Sequence, residues 1–213
     1  CDIDKVQAIG DRHGLRVIYD AAHSFGSKSQ GRKVGSFSDL CTFSFDPVKN
    51  FTTIDGGLVV VRTEEEKRRL LSARSLGQEQ SLDKIKSNDR SWTYDVLDQG
   101  FRYHLANLHA AVGLAQLEKY SEIMRTRRVV YDFYNEAFDG VSGLQIQRPS
   151  AQDVVAFLYA VRVKNGRREE FRDFLQSRGV ATGIHWRPGH HFSYFQDSKQ
   201  GDLSVTSALG NEI

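Results

Sequence analysis

The strongest constraint on the fold is a set of short apolar runs set among helical patterns. Leu58-Val59-Val60-Val61 contains no polar residue, and an unbroken run of this kind fits a strand covered on both faces. Leu15-Arg16-Val17-Ile18-Tyr19 reads as a buried strand over 16–19 ending at Asp20, and residues 40–45 and 57–61 read as two more. Ahead of them Ile3, Val6 and Ile9 recur at three-residue steps, which predicts a helix over 3–12 stopped by Gly14. Thr63-Glu64-Glu65-Glu66 has the capping-box pattern and opens a helix through about Ser75. Helices and strands in this order predict an α/β layer.

From Tyr103 the pattern becomes one long helix. Leu105, Leu108, Val112 and Ala115 recur at three- and four-residue steps, while Ala106, Ala110, Ala111 and Gly113 permit close packing. The aromatics Tyr131, Phe133 and Tyr134 carry it toward Asp139-Gly140. A smaller α+β unit is expected beyond, with a strand over 154–163, a turn at Asn165-Gly166, a helix over 167–178, Gly179 and a strand over 180–186. The polar stretch between Gly77 and Trp92 reads as an exposed connection.

The 29 basic and 27 acidic side chains leave a formal charge of +2 and alternate along the chain, which speaks against nucleic acid as a partner. No apolar stretch is long enough to span a bilayer. Cys1 and Cys41 form neither a disulfide framework nor a metal cluster; Cys41 lies in an apolar run and reads as a buried hydrophobe of a reducing compartment, so the cytoplasm is the expected location. The chain opens directly in a helical pattern and closes on Gly210-Asn211-Glu212-Ile213 without a finished helix. A piece of a longer protein is therefore expected.

Chemistry concentrates at two strand ends. Asp20 ends the first strand, where open α/β sheets bind ligands, and is followed by Ala21-Ala22-His23. Lys49 lies in Ser44-Phe45-Asp46-Pro47-Val48-Lys49-Asn50, between a β-like run and Gly56-Gly57. Pyridoxal phosphate chemistry needs an amine for a Schiff base, an anion facing the pyridine nitrogen and donors for the phosphate. Lys49, Asp20 and Ser44 are candidates for one of each. The same residues have plainer readings, an aspartate as turn or cap residue and a lysine as solvated charge. Gly56-Gly57 precede a strand and make no dinucleotide fingerprint. His13 and His109 read as structural or exposed, and His185, His190 and His191 lack the spacing and carboxylate of a metal site.

Taken in order, Val17 to Gly26, Gly35-Ser36-Phe37-Ser38-Asp39, Phe43 to Asn50 with Gly56-Gly57, Gly100 to Asn107 with Ala110 to Gly113, Gln116-Leu117-Glu118 and His185-Trp186-Arg187-Pro188-Gly189-His190 resemble the DegT/DnrJ/EryC1/StrS sugar-nucleotide aminotransferases. That resemblance implies the aspartate-aminotransferase-like fold of pyridoxal phosphate enzymes (fold type I). It implies that residues 1–125 form the C-terminal part of the large cofactor-binding domain, and 126–213 a small α+β domain incomplete at its end. It also implies missing N-terminal and C-terminal parts, the former carrying a glycine-containing phosphate loop and the aromatic stacked on the cofactor, so the isolated fragment is expected to bind cofactor poorly.

The resemblance further makes Lys49 the Schiff-base lysine, Asp20 the partner of the pyridine nitrogen and Ser44 a phosphate ligand. Ala22 lies under the ring, and His23 hydrogen-bonds the phenolic oxygen where glutamine is more usual. Arg102 replaces a common asparagine that reaches the neighbouring subunit's phosphate, and His104 replaces a usual arginine or lysine. Asp46 stands in place of a histidine beside the cofactor loop, and His185 and His190 face the substrate; all three bear on substrate choice. The implied reaction moves an amino group from glutamate to a nucleotide-linked keto-deoxysugar in a homodimer with shared active sites, and the residues suggest no metal. A sugar dehydratase or deoxygenase relative and a non-catalytic regulator on the same fold are the alternatives; the dehydratase relatives carry histidine at the lysine position, so Lys49 argues against them, and Asp20, Ser44 and Lys49 together favour an enzyme.

Overall fold

A computed structural model describes residues 2–37, 40–79, 94–147, 154–155, 157–198 and 201–213. The chain divides into two compact units, Cys1–Thr126 with Ala151–Phe157, and Arg127–Ser150 with Leu158–Ile213.

The first unit opens with α1 (Ile3–His13), whose N-cap Asp2 accepts from the Lys5 amide and whose last turn closes on Gly14 in the left-handed conformation (φ 63°). The chain then enters β1 (Ile18–Asp20), and the Tyr19 hydroxyl donates back to the Ile3 carbonyl of α1 (3.3 Å). A hairpin of β2 (Lys28–Ser29) and β3 (Arg32–Lys33) turns through Gln30 and Gly31, both at positive φ, as a tight two-residue hairpin requires. β4 (Leu40–Ser44) and β5 (Gly57–Val60) complete a three-stranded sheet in the order β1-β4-β5, in which β1 and β4 are parallel and β4 and β5 antiparallel.

The expected double-sided cover of the strands does not occur. Side chains alternate along a strand, so Tyr19, Cys41, Phe43 and Val60 share one face of the sheet and pack into the core with Ala21, Phe45 and Phe51. On the opposite face Ile18 is 66% and Val59 46% exposed. Strand bounds shift accordingly, and Asp20 is the last residue of β1 rather than the residue after it. Cys41 is fully buried, as its apolar setting suggests.

The capping box forms as expected at the start of α2 (Glu64–Ala73): Thr63 Oγ1 accepts from the Glu66 amide, and Glu66 reaches back to the Thr63 amide. After α2 the pair β6 (Gln78–Glu79) and β7 (Asp95–Val96) meets antiparallel. Most of the connection expected between Gly77 and Trp92, and with it Cys1, Ser38 and Asp39, lies outside the described residues. The long helix α3 runs over Asn107–Ala137 and starts later than Tyr103, because the Phe101 and Tyr103 amides are taken by the Ala73 and Arg74 carbonyls at the end of α2. Gly113 is buried in α3, where a Cβ would stand 2.7 Å from the Thr53 methyl, so its absence sets how closely the helix approaches the loop after β4.

In the second unit β8 (Leu144–Ile146) pairs antiparallel with β9 (Val161–Val163), followed by α4 (Arg168–Gln176) and α5 (Ser204–Gly210). Three expectations fail here. The strand expected over 154–163 is confined to β9 and finds its partner in β8, ahead of it in the chain. No strand forms over 180–186: the Val180 amide turns back to the Leu175 carbonyl, and the outward Val163 amide is met by the Glu212 carbonyl. Against the expected lack of a finished helix at the close, α5 ends at Gly210 with Asn211 as its C-cap. Glu212 further accepts from Arg162 and Lys164, and Tyr159 packs on Tyr131 and Tyr134 with ring centroids 5.0 Å away.

The loop from Phe45 to Gly56 is closed by its own backbone. The Phe45 amide donates to the Gly56 carbonyl (2.9 Å) and the Thr53 amide to the Phe45 carbonyl (3.0 Å). Gly56 has φ 141°, and a Cβ there would lie 2.7 Å from Thr53 Oγ1 and 2.8 Å from Leu105 Cδ1. Gly56→Ala should therefore lower the unfolding free energy by about 1–3 kcal/mol in denaturant titration; a loss below about 0.5 kcal/mol contradicts this packing.

Glu66 also accepts from the Arg62 amide (3.1 Å) and pairs with an Arg16 guanidinium nitrogen at 2.6 Å. The Thr63 amide foremost, then Arg16, draws its carboxyl down from 4.5 to about 2. A group with a depressed folded value stabilises fully above its unfolded value, and that contribution is lost as pH falls through the folded one. Thermal melts should thus show a loss of stability from pH 4.5 down to about 2 that Glu66→Gln makes shallower; identical slopes in that window refute the pairing.

Candidate active site

The register of the central sheet brings two polar strand ends to one edge. Asp20 pairs with Thr42, and Ser44 lies two residues further along β4 opposite Gly57. Asp20 is exposed; its Oδ1 accepts from the Ala22 amide (3.0 Å), which bends the chain away from the sheet edge. Its second oxygen has no hydrogen bond among the described residues. Ala21 is buried, and the short side chain of Ala22 leaves the space beside the strand end free of bulk.

Lys49 sits in the turn that leaves β4. Ser44 Oγ accepts a long 3.4 Å bond from the Asp46 amide, Asp46 Oδ1 accepts from the Val48 amide (3.0 Å), and the Asp46 carbonyl accepts from the Lys49 amide (3.0 Å). Asp46 is thus the residue that folds this turn, with an exposed side chain. Lys49 is half-buried, and its Nζ stands 5.3 Å from the centroid of the Phe157 ring. The same ring lies 4.3 Å from the His23 imidazole. Phe157 therefore joins the segment after Asp20 to the lysine loop. Next to Lys49, Asn50 is buried and its Oδ1 has no partner among the described residues, while the buried Thr53 donates to the Asp55 carbonyl.

The segments at this edge carry a carboxylate, a hydroxyl, an imidazole and a primary amine, groups able to hold an anionic, carbonyl-bearing heteroaromatic molecule. Among the described residues no group of three or more His, Cys, Asp or Glu side chains is placed to hold a metal ion. Arg102 is exposed and bridged through its backbone to Ser75, whose hydroxyl is 3.0 Å from His104 Nε2. His185 and His190 belong to the second unit, where His185 packs edge-on against Trp186 and His190 Nε2 is 3.0 Å from Ser207 Oγ. Phe157 and Asn50 are the residues that sequence reasoning passed over. Asn50 follows the lysine directly, but its burial is a tertiary fact, and no local pattern links Phe157 to a loop so far from it in sequence.

A family model described as the DegT/DnrJ/EryC1/StrS aminotransferase family matches residues 1–213. An uncharacterized protein of Methanocaldococcus jannaschii is 32% identical over 212 residues, covering 95% of this chain and 55% of that protein. Among solved structures, the sugar aminotransferase CalS13 from Micromonospora echinospora is 27% identical with a TM-score of 0.84, over 98% of this chain and 57% of that one. DesV of S. venezuelae, solved in complex with a ketimine intermediate, is 28% identical with a TM-score of 0.84, over 99% and 54% respectively. The chain thus spans just over half the length of these relatives. Its mixed sheet and helices match the pyridoxal phosphate-dependent aminotransferase architecture, fold type I. The chain belongs to the DegT/DnrJ/EryC1/StrS aminotransferase family.

Proposed function

We propose that the protein containing this chain is a pyridoxal phosphate-dependent aminotransferase that transfers the amino group of glutamate to a nucleotide-linked keto-deoxysugar. The observation that carries this reading is the meeting of Asp20 and Ser44 at one sheet edge, with Lys49 in the turn that leaves it. The sugar aminotransferase CalS13 among the structural relatives supports the substrate class.

When bound, pyridoxal phosphate supplies an electron sink for the carbanion formed at the donor's α-carbon. In this reading the open oxygen of Asp20 accepts the pyridine N–H and its negative charge keeps that nitrogen protonated. Ser44 donates its hydroxyl to the phosphate, and His23 offers a ring nitrogen to the phenolic oxygen. Ala22 leaves room for the ring. Lys49 would hold the cofactor through its amine, and once the donor's amino group has displaced it, the freed Nζ would take the donor's α-carbon proton as general base.

Residues 1–125 belong in this reading to the cofactor-binding domain and 126–213 to the small domain. The active unit is a homodimer in the cytoplasm, with Arg102 turned to the neighbour's phosphate. Phe101, Tyr103, Leu105 and Leu108 expose apolar surface around Arg102, which suits a subunit contact. Asp46, His185 and His190 are assigned to the sugar side, where they tune the choice of acceptor.

The test is a single-turnover experiment on the full-length protein. Glutamate should release one equivalent of 2-oxoglutarate per site, and a nucleotide-linked keto sugar should then restore the starting absorbance. Asp20→Asn should slow the first step by about 100-fold, since one such charge interaction is worth about 3 kcal/mol. An unchanged rate in that variant contradicts the role of Asp20, and no response to any amino donor contradicts the reaction.

A further inference from the structure

The Phe157 ring is in contact with two groups assigned to the site, yet no role in the reaction has been given to it. We propose that Phe157 is a positioning residue: its ring holds the Lys49 ammonium and the His23 imidazole in place, and is itself docked by the hydrogen bond from the Val155 amide to Ser27 Oγ. The consequence for catalysis rests on the proposed reading of Lys49 as the reactive amine.

The geometry has three parts. Lys49 Nζ is 5.3 Å from the ring centroid, within the range in which a cation is attracted to the negative face of an aromatic ring. The His23 ring lies 4.3 Å away and is tilted by 41°, so the imidazole packs on the ring while its nitrogens remain in a plane of their own. Ser27 is buried, and its hydroxyl accepts from the Val155 amide at 3.0 Å, which ties the segment carrying Phe157 to the turn after β1. Among the described residues no carboxylate forms an ion pair with Lys49, and its ammonium stands over the Phe157 ring.

A ring of this kind attracts the ammonium to its face. It therefore gives the lysine a defined resting position whenever its amine is not bonded to another group, close to the loop from which it acts. An aliphatic side chain of similar size would fill the space without this attraction.

The test needs no cofactor. Full-length protein prepared without it is treated with 2,4,6-trinitrobenzenesulfonate, which modifies accessible amines, and the rate at Lys49 is followed by peptide mass analysis with exposed Lys119 as internal reference. Phe157→Leu should raise the Lys49 rate about two- to fivefold relative to Lys119, and Phe157→Tyr should stay within about a factor of two of the parent. Ser27→Ala should raise it in the same direction, and decides the matter if Phe157→Leu fails to fold by circular dichroism. An unchanged Lys49 rate in Phe157→Leu or, failing that variant, in Ser27→Ala overturns the proposal, as does a Tyr variant that behaves like Leu. Release of 2-oxoglutarate from glutamate is read separately, so loss of the aminotransferase reading and loss of the Phe157 role are distinguishable.

Discussion

The parallel pairing of β1 with β4 is the interaction on which the rest of the first unit depends. Its register, Ile18 to Leu40, Tyr19 to Cys41 and Asp20 to Thr42, puts Cys41 and Phe43 into the core and leaves Asp20 at the edge beside Ser44. A slip of one residue would turn every side chain of β1 to the other face, taking Tyr19 out of the core and Asp20 into it. The cost of burying that carboxylate without a partner is what locks the register. Folding and site construction are therefore the same event in this strand pair.

The lysine loop is held by a second device, a cluster of aromatic rings drawn from four segments. Phe25 packs against Phe43, Phe45, Phe51 and Tyr120 with centroids between 4.8 and 5.6 Å, and the Tyr120 hydroxyl of α3 donates to the Phe25 carbonyl. Each such pair adds about 0.5–1.5 kcal/mol to the apolar burial itself. Phe45 and Phe51 flank Lys49 along the chain, so the backbone on both sides of the lysine is anchored while the turn between them stays at the surface. The result is a lysine carried on a backbone fixed from both sides, with its amine over the Phe157 ring.

Much of this is legible in the sequence, for reasons that differ residue by residue. Asp20 and Ser44 are legible because a polar residue ending an apolar run marks a strand end, and strand ends of parallel neighbours share an edge. Lys49 is legible because a lysine in a tight polar turn ahead of two glycines is unlike a lysine on a helix face. The capping box at Thr63 and Glu66 is fully local and forms as expected. The failures are tertiary. Leu58-Val59-Val60-Val61 shows that the strand is apolar, not which of its faces finds cover. Residues 180–186 have strand composition, but the Val180 amide is taken by the end of α4. Phe157 and the buried Asn50 depend on chain segments that meet in space alone.

The central claim is that Lys49 is the amine through which the protein holds its cofactor. Reducing the full-length protein with borohydride in the presence of pyridoxal phosphate, followed by peptide mass mapping, tests it directly. The account predicts a single stable phosphopyridoxyl adduct on Lys49, absent from Lys49→Ala. An adduct on another lysine, or none in protein that retains the cofactor, contradicts it.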